Sequence, residues 1–238
     1  MSIKTTAAIA VVAGIGALVA GGAAGQGMIT DFESGLDGWS VSGRETTGPG
    51  NPGTGLDVVV LDVFGADIRN STRGFTGDYR SFGEIELTVD IQIDSIDFFG
   101  SPVPRDLTVQ LRSFDVDGSG TFASIWAPIG LLDGNGMDWT TFSAALDTAA
   151  TELPDGWFGD GGFDPVTFEP RLPDGVSVQD VLASVDELTF TTFVPGFGFG
   201  FTNFDMSVDN AGFTVVPAPA SAALLAAGGL AASRRRRD

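Results

Sequence analysis

Residues 84–94 read EIELTVDIQID, in which Ile85, Leu87, Val89, Ile91 and Ile93 alternate unbroken with Glu84, Glu86, Thr88, Asp90, Gln92 and Asp94. A period of two over eleven residues commits the segment to a strand with one buried face and one wet face. LTVQLRSF (107–114) repeats the pattern with Leu107, Val109 and Leu111 inward, and LDVVVLDV (56–63) is a continuous apolar run that reads as a central strand. Further strands are predicted near 28–33, 121–126, 138–146, 186–194 and 205–215, with Gly/Asp turns between them. The expected fold is all-β, an antiparallel, jelly-roll-like β-sandwich. One short helix is predicted within SVQDVLASV (177–185), where Ser177 can cap and Val178, Val181, Leu182 and Val185 share a face. TTGPGNPGTG (46–55) reads as a mobile surface loop.

The two ends follow other rules. At the N-terminus, Lys4 precedes an apolar run from Ala7 to Ala20 and then the small residues Gly22, Ala23, Ala24 and Gly25. That order reads as a secretory signal helix, residues 1–25, with cleavage by signal peptidase expected from Ala24 to Gln26, a retained N-terminal anchor helix being the alternative. At the other end, Ser221–Ala232 is twelve mostly Ala, Leu and Gly residues. At ~1.5 Å per residue it spans roughly 18 Å, short of a ~30 Å hydrocarbon core. Arg234, Arg235, Arg236 and Arg237 then hold the end on the cytoplasmic side. This is a marginal stop-transfer helix, enough to pause export; an ordinary tail anchor is the alternative.

Pro217 and Pro219, the small-residue apolar helix and the terminal arginine cluster together resemble the PEP-CTERM sorting signal, with Ala218 where the family has Glu. The resemblance covers 216–238. It implies export, transient membrane retention, processing by an exosortase-like enzyme, and release to the cell surface or extracellular matrix. The expected organisation is signal peptide 1–25, β-sandwich 27–215 and sorting tail 216–238.

Between these ends the chain holds seven arginines, no lysine and 30 acidic residues, a formal net charge of −23. Such a surface repels nucleic acid, so no nucleic-acid partner is expected. There is no cysteine, hence no disulfide or thiolate metal site, and no histidine, hence no Ser-His-Asp or Cys-His catalysis and no ordinary zinc site. Any metal would be oxygen-liganded, with Ca²⁺ the natural choice.

GDYRSFGEIELTVDI (77–91), DWTTFSAALD (138–147), VQDVLASVDELTF (178–190) and NFDMSVDNAGFTV (203–215) are similar in pieces to laminin-B-like domains. That resemblance implies a jelly roll, and related jelly rolls bind glycans or act as adhesion modules. Structural Ca²⁺ between first and last strands, as many carbohydrate-binding jelly rolls have, would use Glu33 and Asp209. DVDGSG (115–120) starts like a calcium loop, but its twelfth position is Trp126 rather than Glu, so it reads as a hairpin turn. Asp155, Asp160 and Asp164 read as solvated loop carboxylates, with convergence on Ca²⁺ as the alternative. Of the tryptophans, Trp39 and Trp139 sit in strand patterns and are expected in the core. Trp157 lies in a Gly/Asp loop and is the candidate ligand platform, a loop Trp capping the sandwich end being the other reading. FGFGFTNF (197–204) would put Phe197, Phe199 and Phe201 on one strand face, either as core packing or as an exposed adhesive patch. No catalytic or cofactor-binding residue stands out. The expected function is non-catalytic, a structural, adhesive or glycan-associated exported protein with an extracellular polysaccharide as partner. The alternative is a carboxylate-dependent glycoside hydrolase or polysaccharide lyase.

Overall fold

The 84–94 alternation grows into a fifteen-residue strand, Glu84–Phe98, whose odd positions from Ile85 to Ile93 are all buried. Around it the computed structural model describes residues 27–41 and 44–217. The signal segment, Pro219 and Arg234–Arg237 lie outside the described residues. In chain order the strands are β1 (Met28–Thr30), β2 (Trp39–Val41), β3 (Arg44–Gly50), β4 (Gly53–Val63), β5 (Asp67–Asn70), β6 (Glu84–Phe98), β7 (Ser101–Pro102) and β8 (Arg105–Ser113). There follow β9 (Ala123–Leu132), β10 (Met137–Asp147), β11 (Phe158–Asp160), β12 (Gly162–Phe163), β13 (Pro170–Arg171), the helix α1 (Val178–Ala183), β14 (Glu187–Thr191) and β15 (Thr202–Val215). Among the described residues no helix is long and apolar enough to cross a membrane.

One sheet has the order β10-β6-β15-β4-β3, with β1 beside the far half of β15 and β7 on the end of β6. The second has the order β11-β9-β8-β14-β5-β2. All pairings are antiparallel. One apolar core lies between the sheets, joining Leu56, Val58, Ile91 and Phe204 of the first to Val109, Leu111, Leu188 and Phe190 of the second. This is the antiparallel sandwich the alternation predicts.

Trp39 belongs to this core. Its ring meets Phe75 edge-on at 5.2 Å and stacks on Phe190 at 5.9 Å, while its indole N–H donates to Thr30 Oγ1 at 3.0 Å. Trp139, expected inside, is only half-buried, because β10 is the edge strand and one of its faces meets solvent.

The helix forms where predicted. Ser177 accepts from Asp180 N–H and the Asp180 carboxylate accepts from Ser177 N–H, a capping box that fixes the first turn. Val178, Val181 and Leu182 are its buried face.

The Gly/Pro run 46–55 is not a loose loop. It forms the β3–β4 hairpin, paired from Arg44↔Val59 to Gly50↔Gly53, with Asn51 and Pro52 at the tip. Composition misled here because the hairpin is held by remote groups. Asn51 N–H donates to Asp209 Oδ2 at 2.5 Å, its side-chain amide to Asp90 Oδ2 at 3.2 Å, and Thr54 N–H to Glu33 Oε1 at 2.8 Å. At Gly50 the backbone runs so close to its partner strand that a Cβ would lie 2.5 Å from Thr54 O.

β15 crosses the whole first sheet. Its Asp209–Gly212 stretch bulges, so that Asp209 faces Asp90 while Gly212 faces Thr88. Gly212 has φ +154 and lies under β1, where a Cβ would sit 1.9 Å from Met28 O. Only glycine fits both demands. Since β1 is antiparallel to this half of β15, residues 27 and 217 leave from the same end of the sheet. The Thr202 end of β15 points the other way, toward a cluster of exposed phenylalanines.

Candidate functional site

On the second sheet, alternation sends Val109, Leu111, Leu188 and Phe190 inward and Thr108, Gln110, Arg112, Glu187, Thr189 and Thr191 outward. An outward row is normally wet, yet Thr108, Thr189 and Thr191 are 0 % exposed, Gln110 2 % and Glu187 5 %. Part of the shielding comes from the segment after β14, which folds back over the row. Thr108 Oγ1 donates to Thr191 O at 3.2 Å, Gln110 Nε2 to Phe193 O at 3.3 Å, and Phe193 N–H to Thr191 Oγ1 at 2.9 Å. Of this row Gln110 and Arg112 line the floor of a groove, a cavity of about 280 Å³.

Arg112 organises that floor. Its Nε donates to Gln110 Oε1 at 2.8 Å and its Nη1 to Glu187 Oε1 at 2.9 Å, with Asp67 Oδ2 at 3.9 Å from Nη1. Glu187 also accepts from Thr189 Oγ1 (3.0 Å) and Ser71 Oγ (3.2 Å), and Asp67 accepts from the Thr191 hydroxyl. These bonds lock the Gln110 amide and both carboxylates in place; none uses Nη2 of Arg112. Asp160, half-buried, completes the polar lining, so three carboxylates lie in or beside a groove that holds one guanidinium.

Aromatic rings form the rim. Phe114 and Phe122, from the two ends of the loop between β8 and β9, stack at 6.1 Å with an interplanar angle of 25°, and Phe193 lines the opposite side. Beyond, Trp126 of β9 stacks on Phe158 of β11 at 4.8 Å. On the same outward row of β9, Ser124 Oγ and Trp126 Nε1 are shielded from solvent without a hydrogen-bond partner. A buried polar group left unpaired costs roughly 1–3 kcal/mol, so two on one row need an explanation.

The residues singled out from sequence fall elsewhere. Trp157 is not a platform: it is 5 % exposed and its indole N–H donates to Ala145 O at 2.9 Å, so it seals the β10 side of the sandwich. β11 begins one residue later, and alternation gives the exposed place to Phe158. Glu33 and Asp209 flank the β3–β4 tip; Thr54 N–H occupies Oε1 of Glu33, and the N–H groups of Asn51 and Asn210 occupy both oxygens of Asp209. Burial raises the Asp209 pKa, and Asp90 and Asp31 push the same way against those hydrogen bonds. Asp90 is itself held by Thr141 Oγ1 (2.5 Å) and Asn210 Nδ2 (2.9 Å). Among the described residues no group of three or more carboxylates has the geometry of a metal site, Asp155, Asp160 and Asp164 included.

The 115–120 loop is a turn. Asp115 accepts from Gly120 N–H at 2.6 Å, and Asp117 accepts from Thr121 Oγ1, Ser119 Oγ and Ser119 N–H, which hold its carboxyl well below the usual range. Residues 197–200 are not strand, and Phe201, at φ +61, only leads into β15. Phe197 and Phe201 are exposed, so of the two readings of the Phe-Gly run the surface patch is the one realised. Pro217 is exposed at the end of the described chain.

No protein-family model and no curated protein matches the chain. Solved structures similar to it include the family 11 carbohydrate-binding module of the cellulosomal cellulase Lic26A-Cel5E of Clostridium thermocellum (13 % identity, 81 % of this chain and 96 % of that one, TM-score 0.46). A second is the CBM22-1 xylan-binding domain of Paenibacillus barcinonensis Xyn10C (12 % identity, 82 % and 97 %, TM-score 0.46). A third is the CBM22-1–GH10 modules of the C. thermocellum xylanase 10B (13 % identity, TM-score 0.46), where 79 % of this chain spans 28 % of that one.

Proposed function

We propose that this chain is an exported, non-catalytic β-sandwich that binds a neutral extracellular polysaccharide in the groove over Arg112. The observation that carries the reading is the groove's make-up: fixed donors and acceptors on the floor, phenylalanine rings on the rim. Sugar hydroxyls both donate and accept, and the C–H faces of a pyranose pack on aromatic rings, so a saccharide uses both features at once. Three carboxylates against one guanidinium disfavour uronates and sulfated sugars. Asp67 and Glu187 are committed to Arg112 and to hydroxyl donors, an arrangement that serves positioning better than acid–base hydrolysis.

The test is a screen of the full chain against neutral and anionic polysaccharides, by affinity electrophoresis and by assay for new reducing ends. Retardation by a neutral polymer without new ends is the expected result. No retardation by any polymer sinks the binding reading, and new reducing ends convert it to the hydrolase. Running the screen with and without Ca²⁺ probes the Glu33–Asp209 pair, where a cation has to displace the N–H groups of Asn51 and Thr54.

Sorting by the 216–238 tail is part of the same proposal, with Pro217, Pro219 and Arg234–Arg237 as its signal. It places the polysaccharide contact at the cell surface or in the matrix. Mass spectrometry of the native product should show both ends removed; a product that keeps Arg234–Arg237 contradicts processing.

A further inference from the structure

We propose that a second cavity, between Phe64, Arg105, Phe197 and Phe199, is a separate ligand site that takes a planar aromatic monocarboxylate. The cavity measures about 250 Å³ and lies over Asp106, at the opposite end of the outward row of β8 from Arg112. The two ends are six steps apart, roughly 20 Å along a strand. The segment after β14 divides the two cavities: Phe193 and Pro195 line the first, Val194 and Phe197 the second.

The walls are apolar and open. Phe64 is 57 % exposed and Phe197 61 %. A second rank of rings supports them, with Phe201 6.0 Å from Phe64 and Phe98 5.3 Å from Phe199. Clustered exposed rings are costly in water and mark an interaction site.

Arg105 supplies the charge. Its guanidinium lies 3.9 Å over the Phe199 ring, with Nη1 donating to Pro104 O and Nη2 to Thr202 Oγ1, each at 2.7 Å. Its Nε is shielded without a partner. No carboxylate among the described residues forms an ion pair with it, in a segment carrying 30 acidic residues. A guanidinium fixed on a ring, with Asp106 nearby but no carboxylate within ion-pair distance, favours an anion with a flat apolar body. Asp106, also in the lining, opposes a second negative charge, which selects a monoanion. The site is independent of the groove and of what the groove binds.

The experiment is calorimetric titration of the full chain with cinnamate and with cinnamamide, which has the same shape and no charge. Cinnamate is expected to bind at least tenfold more tightly. Arg105→Gln removes that preference, and Phe197→Ala, at an exposed position, weakens cinnamate about tenfold. Retardation by polysaccharide stays unchanged in both variants, which keeps this site separable from the groove. Three results overturn the proposal. The first is equal affinity for acid and amide, and the second is no heat with either. The third is a sedimenting dimer dispersed by Phe197→Ala, which assigns the cavity to a second copy of the chain.

Discussion

Replacing Trp39 with alanine is expected to cost about 4 kcal/mol of folding free energy, the middle of the range for removing a buried aromatic. The ring is 1 % exposed and lies between Phe75 and Phe190, so no small rearrangement refills its place. The substitution also strips Thr30 Oγ1 of its indole donor and so loosens β1 from β2. Against a total stability of about 5–15 kcal/mol, the loss removes from about a quarter to most of it. At this chain length it corresponds to roughly 10 °C in Tm. Urea unfolding followed by fluorescence and circular dichroism measures it, with Trp39→Phe as the companion. Phenylalanine keeps most of the packing and gives up the hydrogen bond, so a loss of about 1–2 kcal/mol is expected. A cost below about 1 kcal/mol for Trp39→Ala would show that the ring does not join the sheets as described.

Arg112→Met should lose polysaccharide binding and about 3 kcal/mol of stability together. The stability loss arises because Glu187, 5 % exposed, is left buried without its cation. The Thr189 and Ser71 hydroxyls still hold Glu187, which keeps the cost at the low end for a broken buried pair. Binding fails for a different reason: the guanidinium leaves the floor, and the Gln110 amide keeps only one of its two fixing partners, Phe193 O. The double variant Arg112→Met/Glu187→Leu separates the two effects. It removes the stranded charge, so stability returns toward the parent while binding stays lost, a coupling that a double-mutant cycle reads directly. Should the double variant regain binding along with stability, Arg112 is a structural residue and the saccharide lies elsewhere.

How much of this was legible in the sequence depended on how local each cause is. The β6 alternation and the Ser177–Asp180 cap are local, and both are found where the residues put them. The β3–β4 hairpin was not legible. Its glycines and prolines match a loop, and the groups that pin its tip, Asp90 and Asp209, come from other strands far along the chain. The groove was hidden for a related reason. Thr108, Gln110 and Arg112 read as the wet side of a strand, and only the segment at Thr191–Phe193, some eighty residues later, covers Thr108 and closes a groove over the other two. One local signal was there: the outward positions of β8 and β14 are largely Thr and Gln, whereas those at the start of β6 are Glu84 and Glu86. Trp157 shows the limit of composition at a single position. A shift of one residue in where β11 begins exchanges the buried ring for the exposed one.

The course of β15 bears on mechanical strength. It is bonded to β6 along one side and to β4 and β1 along the other, and its last residues run straight to Pro217. Tension applied at Pro217 therefore acts along the strand and loads both ladders in shear, so many hydrogen bonds share it and must fail together. A hairpin at a sheet edge pulled from its open end would instead unzip pair by pair. A sandwich drawn taut between a tether at residue 217 and a polymer gripped on its other sheet would resist extension by its central strand, with its lifetime under load set by the unfolding rate.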